Sequence, residues 1–232
     1  DNKRINTAKN NEEIFIALNQ TPFYAESGGQ VGDRGKFASK TAAGNILDCK
    51  KQGKVFIHKA LIKEGKIKTG DIIKMTVEKE KRASIAIHHS STHLAHAALR
   101  EVLGDHVQQK GSLVDENKLR FDFSHDKPLT KDQISAIEAI VNKEALNNSE
   151  VKTELMRLDD ALKSGAMALF GEKYDDDVRV LTMGDNSYSV ELCGGTHVKR
   201  TGDIGFFIII NQSSVASGIR RIEAVAGMKA ID

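Results

Sequence analysis

The chain has 232 residues, 40% hydrophobic and 28% charged, with 5% aromatics and no Trp; this is the profile of a soluble globular protein, one large domain or two modest ones, with largely aliphatic cores. No apolar run reaches membrane-spanning length and no secretory h-region opens the chain, which excludes a membrane partner. The two cysteines, Cys49 and Cys193, are too few for a disulfide framework and point to a reducing, cytoplasmic setting with thiols free or metal-bound.

Residues 1–80 read as β. The short runs 13–18, 55–58 and 72–77 alternate or are apolar. Turn-prone segments separate them: Ser27-Gly28-Gly29, Gly32-Asp33-Arg34-Gly35 and Ala43-Gly44-Asn45. Short strands with glycine-rich turns predict a small barrel-like or curled sheet. The periodicity changes near Glu78. Residues 79–103 lack Gly and Pro, carry Ile85, His89, Leu94, Ala98 and Val102 at helical spacing, and stop at Gly104; this predicts a helix. Runs 107–114 and 118–123 flank Asp115-Glu116-Asn117 as a hairpin. A second helix is expected over 130–147, capped by Thr130, with Ile134, Ile137, Ile140, Val141 and Ala145 as its apolar stripe. A strand at 151–158, a helix from Asp159 to Phe170 ended by Gly171, and strands at 178–183, 187–192, 205–211 and 219–226 complete the reading. The fold class is α+β: a barrel-like subdomain over 1–80, then a two-layer α/β sandwich over 81–232.

Net charge is only +2, yet residues 50–82 are rich in lysine. That window could meet phosphates, or it could be a solvated face. The chain opens on Asp1 rather than Met, as expected of a piece of a longer protein.

Four of the eight histidines crowd the first helix: His88, His89, His93 and His96. Residues four apart share a helix face, so His89 and His93 can address one ion, while His93 and His96 form a rival pair. Cys193-Gly194-Gly195-Thr196-His197 places a second pair at a strand end, and its glycines let the chain turn so both side chains face one point. A thiolate with two or three imidazoles is a donor set that Zn2+ prefers. Cys49 lacks a nearby partner in sequence and reads as structural. His58, His106 and His125 read as surface or strand-end residues. A site with an exchangeable position could activate water against a carbonyl, whereas four protein ligands suit a closed site.

His89-Ser90-Ser91-Thr92-His93-Leu94, Gln109-Lys110-Gly111-Ser112-Leu113, Phe121-Asp122-Phe123-Ser124-His125 and Glu191-Leu192-Cys193-Gly194-Gly195-Thr196-His197 occur in that order. With Ser27-Gly28-Gly29-Gln30 upstream and Arg220-Arg221-Ile222-Glu223-Ala224 near the end, the chain resembles the editing domain of alanyl-tRNA synthetases and the glycine-rich segment before it. The resemblance implies zinc at His89, His93, Cys193 and His197, which selects the His89/His93 register. It also implies hydrolysis of serine or glycine wrongly attached to tRNA(Ala), at the tRNA acceptor end. The aminoacylation and C-terminal regions of such a synthetase lie outside this chain. Free-standing trans-editing proteins share these motifs. A zinc-stabilised tRNA-binding module without turnover is the rival from another class. A non-tRNA metallohydrolase fits less well, since no His-Glu-x-x-His motif is present.

Thr92, Gln109 and Cys193 are expected to serve catalysis and selectivity. Serine is larger than alanine, so size cannot exclude alanine; a site that pairs the serine hydroxyl can, because alanine leaves its polar groups unpaired. The Thr92 hydroxyl could instead bond back to its own helix. Gly28, Gly29, Gln30, Lys110, Gly194, Gly195 and Arg220 are expected at the substrate or tRNA. The Gly194-Gly195 amides could be oxyanion donors or merely shape the turn. Arg220 and Arg221 alternate faces, and the sequence does not say which faces tRNA.

Overall fold

The computed structural model describes residues 3–168 and 174–231. The chain divides into two compact units. One comprises Asp1–Ser27 and Val31–Arg82, the other Gly28–Gln30 and Ala83–Asp232.

The first unit is a single antiparallel sheet of β1 (Thr7–Lys9), β2 (Glu13–Ala17), β3 (Gly35–Ala38), β4 (Ala42–Gln52), β5 (Val55–Lys68) and β6 (Lys74–Val77). Its order is β1-β5-β4-β3-β6, with β2 also on β5. The path is open, so the expected barrel-like element is a sheet without closure. Phe23, Phe37, Ile46, Cys49, Ala60 and Ile62 anchor its core. The segment Ala43-Gly44-Asn45 is not a turn; it lies inside β4, at a register irregularity against β5. Gly44 is required there for packing, because a Cβ would strike the Leu61 carbonyl and the Phe37 ring. Arg82, counted in the basic window, forks onto buried Asp33 and donates to the Pro22 carbonyl. Lys50 and Lys59 likewise pair with Glu26 and Glu13, so part of that lysine-rich face is internally neutralised.

In the second unit, which takes α1 (Lys79–Leu103) from Ala83 onward, the helix leads into the hairpin β7 (Gln109–Val114) and β8 (Leu119–Ser124), then α2 (Lys131–Leu146). β9 (Lys152–Arg157), α3 (Leu158–Lys163), β10 (Asp177–Met183), β11 (Ser189–Leu192), β12 (Phe207–Ala216) and β13 (Ile219–Ala226) follow. These strands form two antiparallel sheets, β11-β10-β9 and β12-β13-β8-β7. The helix expected to run to Phe170 ends at Lys163, where Ser164 caps it and Gly165 turns the chain at positive φ; Phe170 and Gly171 lie outside the described residues. α2 begins with a reciprocal capping box between Thr130 and Gln133. It also seals the edge strand β12: Asn142 exchanges two hydrogen bonds with Phe207, and Glu138 accepts from the Ile209 amide.

α1 holds the unit together. The stretch from His88 to His96 is buried without interruption, so the helix is enclosed on all sides instead of showing one apolar stripe. Several of its buried polar side chains are paired, while His88 Nε2, His93 Nε2 and His96 Nε2 have no hydrogen-bond partner within the chain. Ser91 and Thr92 donate to the Ile87 and His88 carbonyls four residues back, and His88 Nδ1 meets the Asp115 carbonyl. Among the described residues, no helix is long and apolar enough to cross a membrane.

Candidate metal centre

His89 and His93 lie one turn apart in α1, and Cys193 and His197 bracket the loop that leaves β11. One donor atom from each gathers within 4.8 Å of the others. Cys193 Sγ is 3.5 Å from His89 Nε2 and 3.2 Å from His197 Nε2. These are the donor–donor separations of about 3.5 Å that bonds of zinc length impose on a tetrahedron. His93 Nε2 is buried and has no hydrogen-bond partner within the chain, an orphan that a metal would satisfy. The three imidazole rings crowd together, with centroids 4.4 to 5.1 Å apart. The donor chemistry and the spacing both fit Zn2+. His96, the rival partner of His93, is not among the four gathered donors.

Each histidine of the cluster is held by its far nitrogen. His93 Nδ1 pairs with Glu191 Oε2 at 2.7 Å, and His96 takes the other carboxylate oxygen at 2.9 Å. His89 Nδ1 meets Gln30 Oε1 at 2.7 Å. His197 Nδ1 lies 3.3 Å from Ser90 Oγ, which also accepts the Val198 amide. Such outer partners fix the ring orientation and choose which nitrogen is free for a metal. The Gly195 amide donates to Cys193 Sγ, as suits a thiolate. Arg179 donates to the Gly195 carbonyl at 2.9 Å and steadies the loop.

Burial disfavours a charged thiol, but the surrounding His89, His93 and His197 rings outweigh it and hold Cys193 well below the ordinary thiol value. Burial, reinforced by His89, holds His197 down to about 3 despite Cys193. Burial also opposes ionisation of His93 and Glu191, yet their mutual attraction prevails. His93, beside Glu191 and Cys193, is pushed up to about 10, and Glu191, beside His93 and His96, sits far below the carboxylate range. The cluster therefore offers a thiolate and a neutral imidazole, backed by a carboxylate.

The other expected residues fall into two groups. Thr92, Gln30, Gly194 and Gly195 adjoin the four donors. The Thr92 hydroxyl donates to His88 O at 2.9 Å, so the bond back to its own helix is formed. Gln30 is fully buried, with Oε1 beside His89 Nδ1. Gly195 is forced: a Cβ would collide with the His89 ring and come within 2.9 Å of Gln30 Oε1. Gly194 is exposed, and a Cβ there would meet nothing within 4 Å. Gly28 and Gly29 form the preceding turn, both at positive φ, and the Gly29 carbonyl accepts the Val114 amide. The second group lies on the four-stranded sheet. Gln109 and Arg220 both pair with Phe123, one from each side, so they share a rung and a face. Phe121, two residues away on that face, contacts the His96 ring, so this is the face toward α1. Arg221 is on the opposite face, in a two-pronged pair with Asp122. Lys110 is exposed, with Nζ 3.4 Å from Gln108 Oε1.

Two functional side chains escaped the sequence reading: Glu191 and Ser90. Strand alternation contained a signal for the first, since residues two apart on a strand share a face and Glu191 precedes Cys193 by two. His58, expected near the surface, is fully buried. It is bonded to Thr21 and to the Ile16 carbonyl, which satisfies both ring nitrogens. His106 is exposed and His125 half-buried, their ring nitrogens 2.9 Å apart.

Residues 178–223 match the family model described as the threonyl and alanyl tRNA synthetase second additional domain. Residues 1–81 match that of class II (A) tRNA synthetases. The chain is 51% identical, over its whole length, to the alanine–tRNA ligase of Methylococcus capsulatus, of which it covers 27%. It is 50% identical over its whole length to that of Haemophilus influenzae, covering 26%. Against that of Dichelobacter nodosus, 95% of the chain aligns at 53% identity, covering 25% of the relative. The chain thus spans about a quarter of the length of the relatives it matches.

Proposed function

We propose that this chain, a segment of the alanine–tRNA ligase family by its similarity along its whole length, is the proofreading part of such a synthetase. It hydrolyses the ester that joins serine or glycine, wrongly attached, to the acceptor end of tRNA(Ala). Residues 81–232 form the editing core and 1–80 a glycine-rich subdomain, working in the cytoplasm beside the aminoacylation and C-terminal regions of the parent enzyme. The observation that carries this reading is the convergence of His89, His93, Cys193 and His197 within 4.8 Å, with His93 Nε2 buried and otherwise unpartnered.

These four residues would hold Zn2+, which would supply fixed positive charge at the substrate. With four protein donors the ion would serve to hold and shape the pocket. The remaining work falls to the chain. Water attacks the ester carbonyl, the carbon–oxygen bond to the ribose breaks, and the ribose oxygen leaves with a proton. The Gly195 amide is committed to Cys193 Sγ, so its part is to stabilise the thiolate and not an oxyanion. Exposed Gly194 leaves room for the ribose. Thr92 spends its hydroxyl proton on His88 O and retains acceptor capacity, so it can receive the serine hydroxyl. Alanine would leave that acceptor unpaired, the basis of discrimination. Gln109 and Arg220, sharing the face toward α1, supply further polar contact to the amino acid or the terminal nucleotide.

The test is deacylation of seryl-, glycyl- and alanyl-tRNA(Ala) by the wild-type chain and by Cys193→Ala. Release of serine and glycine, sparing of alanine, and joint loss of metal and activity in Cys193→Ala are expected. A folded, zinc-loaded chain that leaves the seryl ester intact would sink the enzyme reading in favour of tRNA binding alone.

A further inference from the structure

Gln30 comes from the glycine-rich stretch, yet with Gly28 and Gly29 it belongs to the second unit. It is fully buried and makes three hydrogen bonds. Oε1 accepts from the Thr196 amide at 2.9 Å and faces His89 Nδ1 at 2.7 Å. Nε2 donates to Thr196 Oγ at 2.9 Å. The backbone amide of Thr196 can only donate, so the atom facing it must be the Gln30 oxygen and not the nitrogen. That oxygen can only accept, so the nitrogen His89 turns to it must carry the proton. His89 Nδ1 is therefore N–H, and in the neutral ring this leaves Nε2, the atom beside Cys193 Sγ, available to an ion.

We infer that Gln30 is a positioning residue of the metal centre: it relays the donor character of the Thr196 amide to His89 and so sets the tautomer that presents Nε2 to the ion. This rests on the metal reading given above. The same side chain ties the α1 pair of ligands to the Cys193–His197 loop, since one oxygen serves His89 and Thr196 together. Gly195 fits this role. It lacks a Cβ where the His89 ring and Gln30 Oε1 press on it. The backbone beside Gln30 is anchored independently, through the Gly29 carbonyl and the Val114 amide at 2.8 Å, so Gln30 is held from behind while it holds His89. Its burial separates this role from direct contact with tRNA.

Gln30→Met keeps the volume and removes the acceptor, while Gln30→Glu keeps an acceptor for both donors. Co2+ and Zn2+ affinities are measured by competition, with the Co2+ absorption bands and the long-range 1H–15N signals of the His89 ring in the zinc-loaded chain. Gln30→Met is expected to weaken metal binding by about 10- to 100-fold, to alter the Co2+ bands and to mix the His89 tautomers. Gln30→Glu is expected to stay within a few-fold of wild type and keep the Nδ1–H form, a rescue that a packing role would not produce. Wild-type affinity and unchanged spectra in Gln30→Met would overturn the inference alone. A wild-type chain that takes up neither ion would overturn the metal reading and this inference with it. If Gln30→Met does not fold, Gln30→Glu decides: near-wild-type binding supports the role, and a hundredfold loss overturns it.

Discussion

Cys49 and His58 face each other across β4 and β5 in the first unit; Cys193 and His197 stand four residues apart around a loop in the second. Both cysteines are shielded and both histidines have partners, yet the two thiols are driven in opposite directions. Burial, with Asp33 and Asp48 nearby, pushes the Cys49 thiol up to about 11. The imidazoles around Cys193 outweigh burial and hold its thiol well below the ordinary value. His58 uses both ring nitrogens on Thr21 and Ile16, so it offers no lone pair to an ion. In the cluster, each ligand ring engages one nitrogen with an outer partner and keeps the other for the centre. Residue type does not make a candidate metal site; spare donor atoms aimed at one point do.

Exchanging the cysteines in turn should break this contrast most strongly. Cys193→Ala is expected to lower zinc affinity by about 100-fold or more, with ester hydrolysis lost alongside. Cys49→Ala should leave metal uptake intact and cost about 1 kcal/mol of stability. Metal competition and thermal unfolding read the two effects, and equal metal loss in both variants would erase the distinction.

The glycine pair gives a narrower comparison. Gly195→Ala should displace the His89 ring and weaken metal binding by about tenfold or more. Gly194→Ala, with open space at its Cβ, should bind metal as wild type does, so parallel Co2+ titrations would separate them. Thiol chemistry sharpens the same point. At pH 7 iodoacetamide should modify Cys193 about tenfold or more faster than Cys49, and excess zinc should suppress only the fast reaction. Mass mapping that finds Cys49 modified first would contradict the assignment.

The smallest expected effect is alkaline. Cys49 ionises at 9.0 as a free thiol and at about 11 in the fold, so between those values the folded chain holds a proton that the unfolded chain has lost. Its contribution is complete below pH 9 and is lost as pH rises through about 11, an effect on the order of 1 kcal/mol. Denaturant unfolding of Cys49→Ala should show a shallower decline over that range.

The sequence by itself determined the helix bearing His89 and His93, whose ends fall where predicted because a Gly-free, Pro-free run between a strand and Gly104 has one local solution. The β7–β8 hairpin, the Thr130 cap and the Cys-x-x-x-His loop were legible for the same reason, since each is written in neighbouring residues. Glycines were less legible. Gly44 reads as a turn, but the Phe37 ring and Leu61 carbonyl, brought close by pairing, make it a strand residue. The early end of α3 and the division of the later strands between two sheets were hidden for a related reason, because long-range pairing decides them.

Only the tertiary structure chose among the histidines without appeal to any family. Spacing allows His93 with His96 as readily as with His89; folding brings Cys193 and His197 to His89 and His93 and not to His96. Gln30 was the furthest from view. In sequence it belongs to a glycine-rich turn, and only folding brings it under His89. A ligand's reach is local and periodic, so sequence shows it. The partner that fixes its proton is set by packing between distant segments, and that appears only in three dimensions.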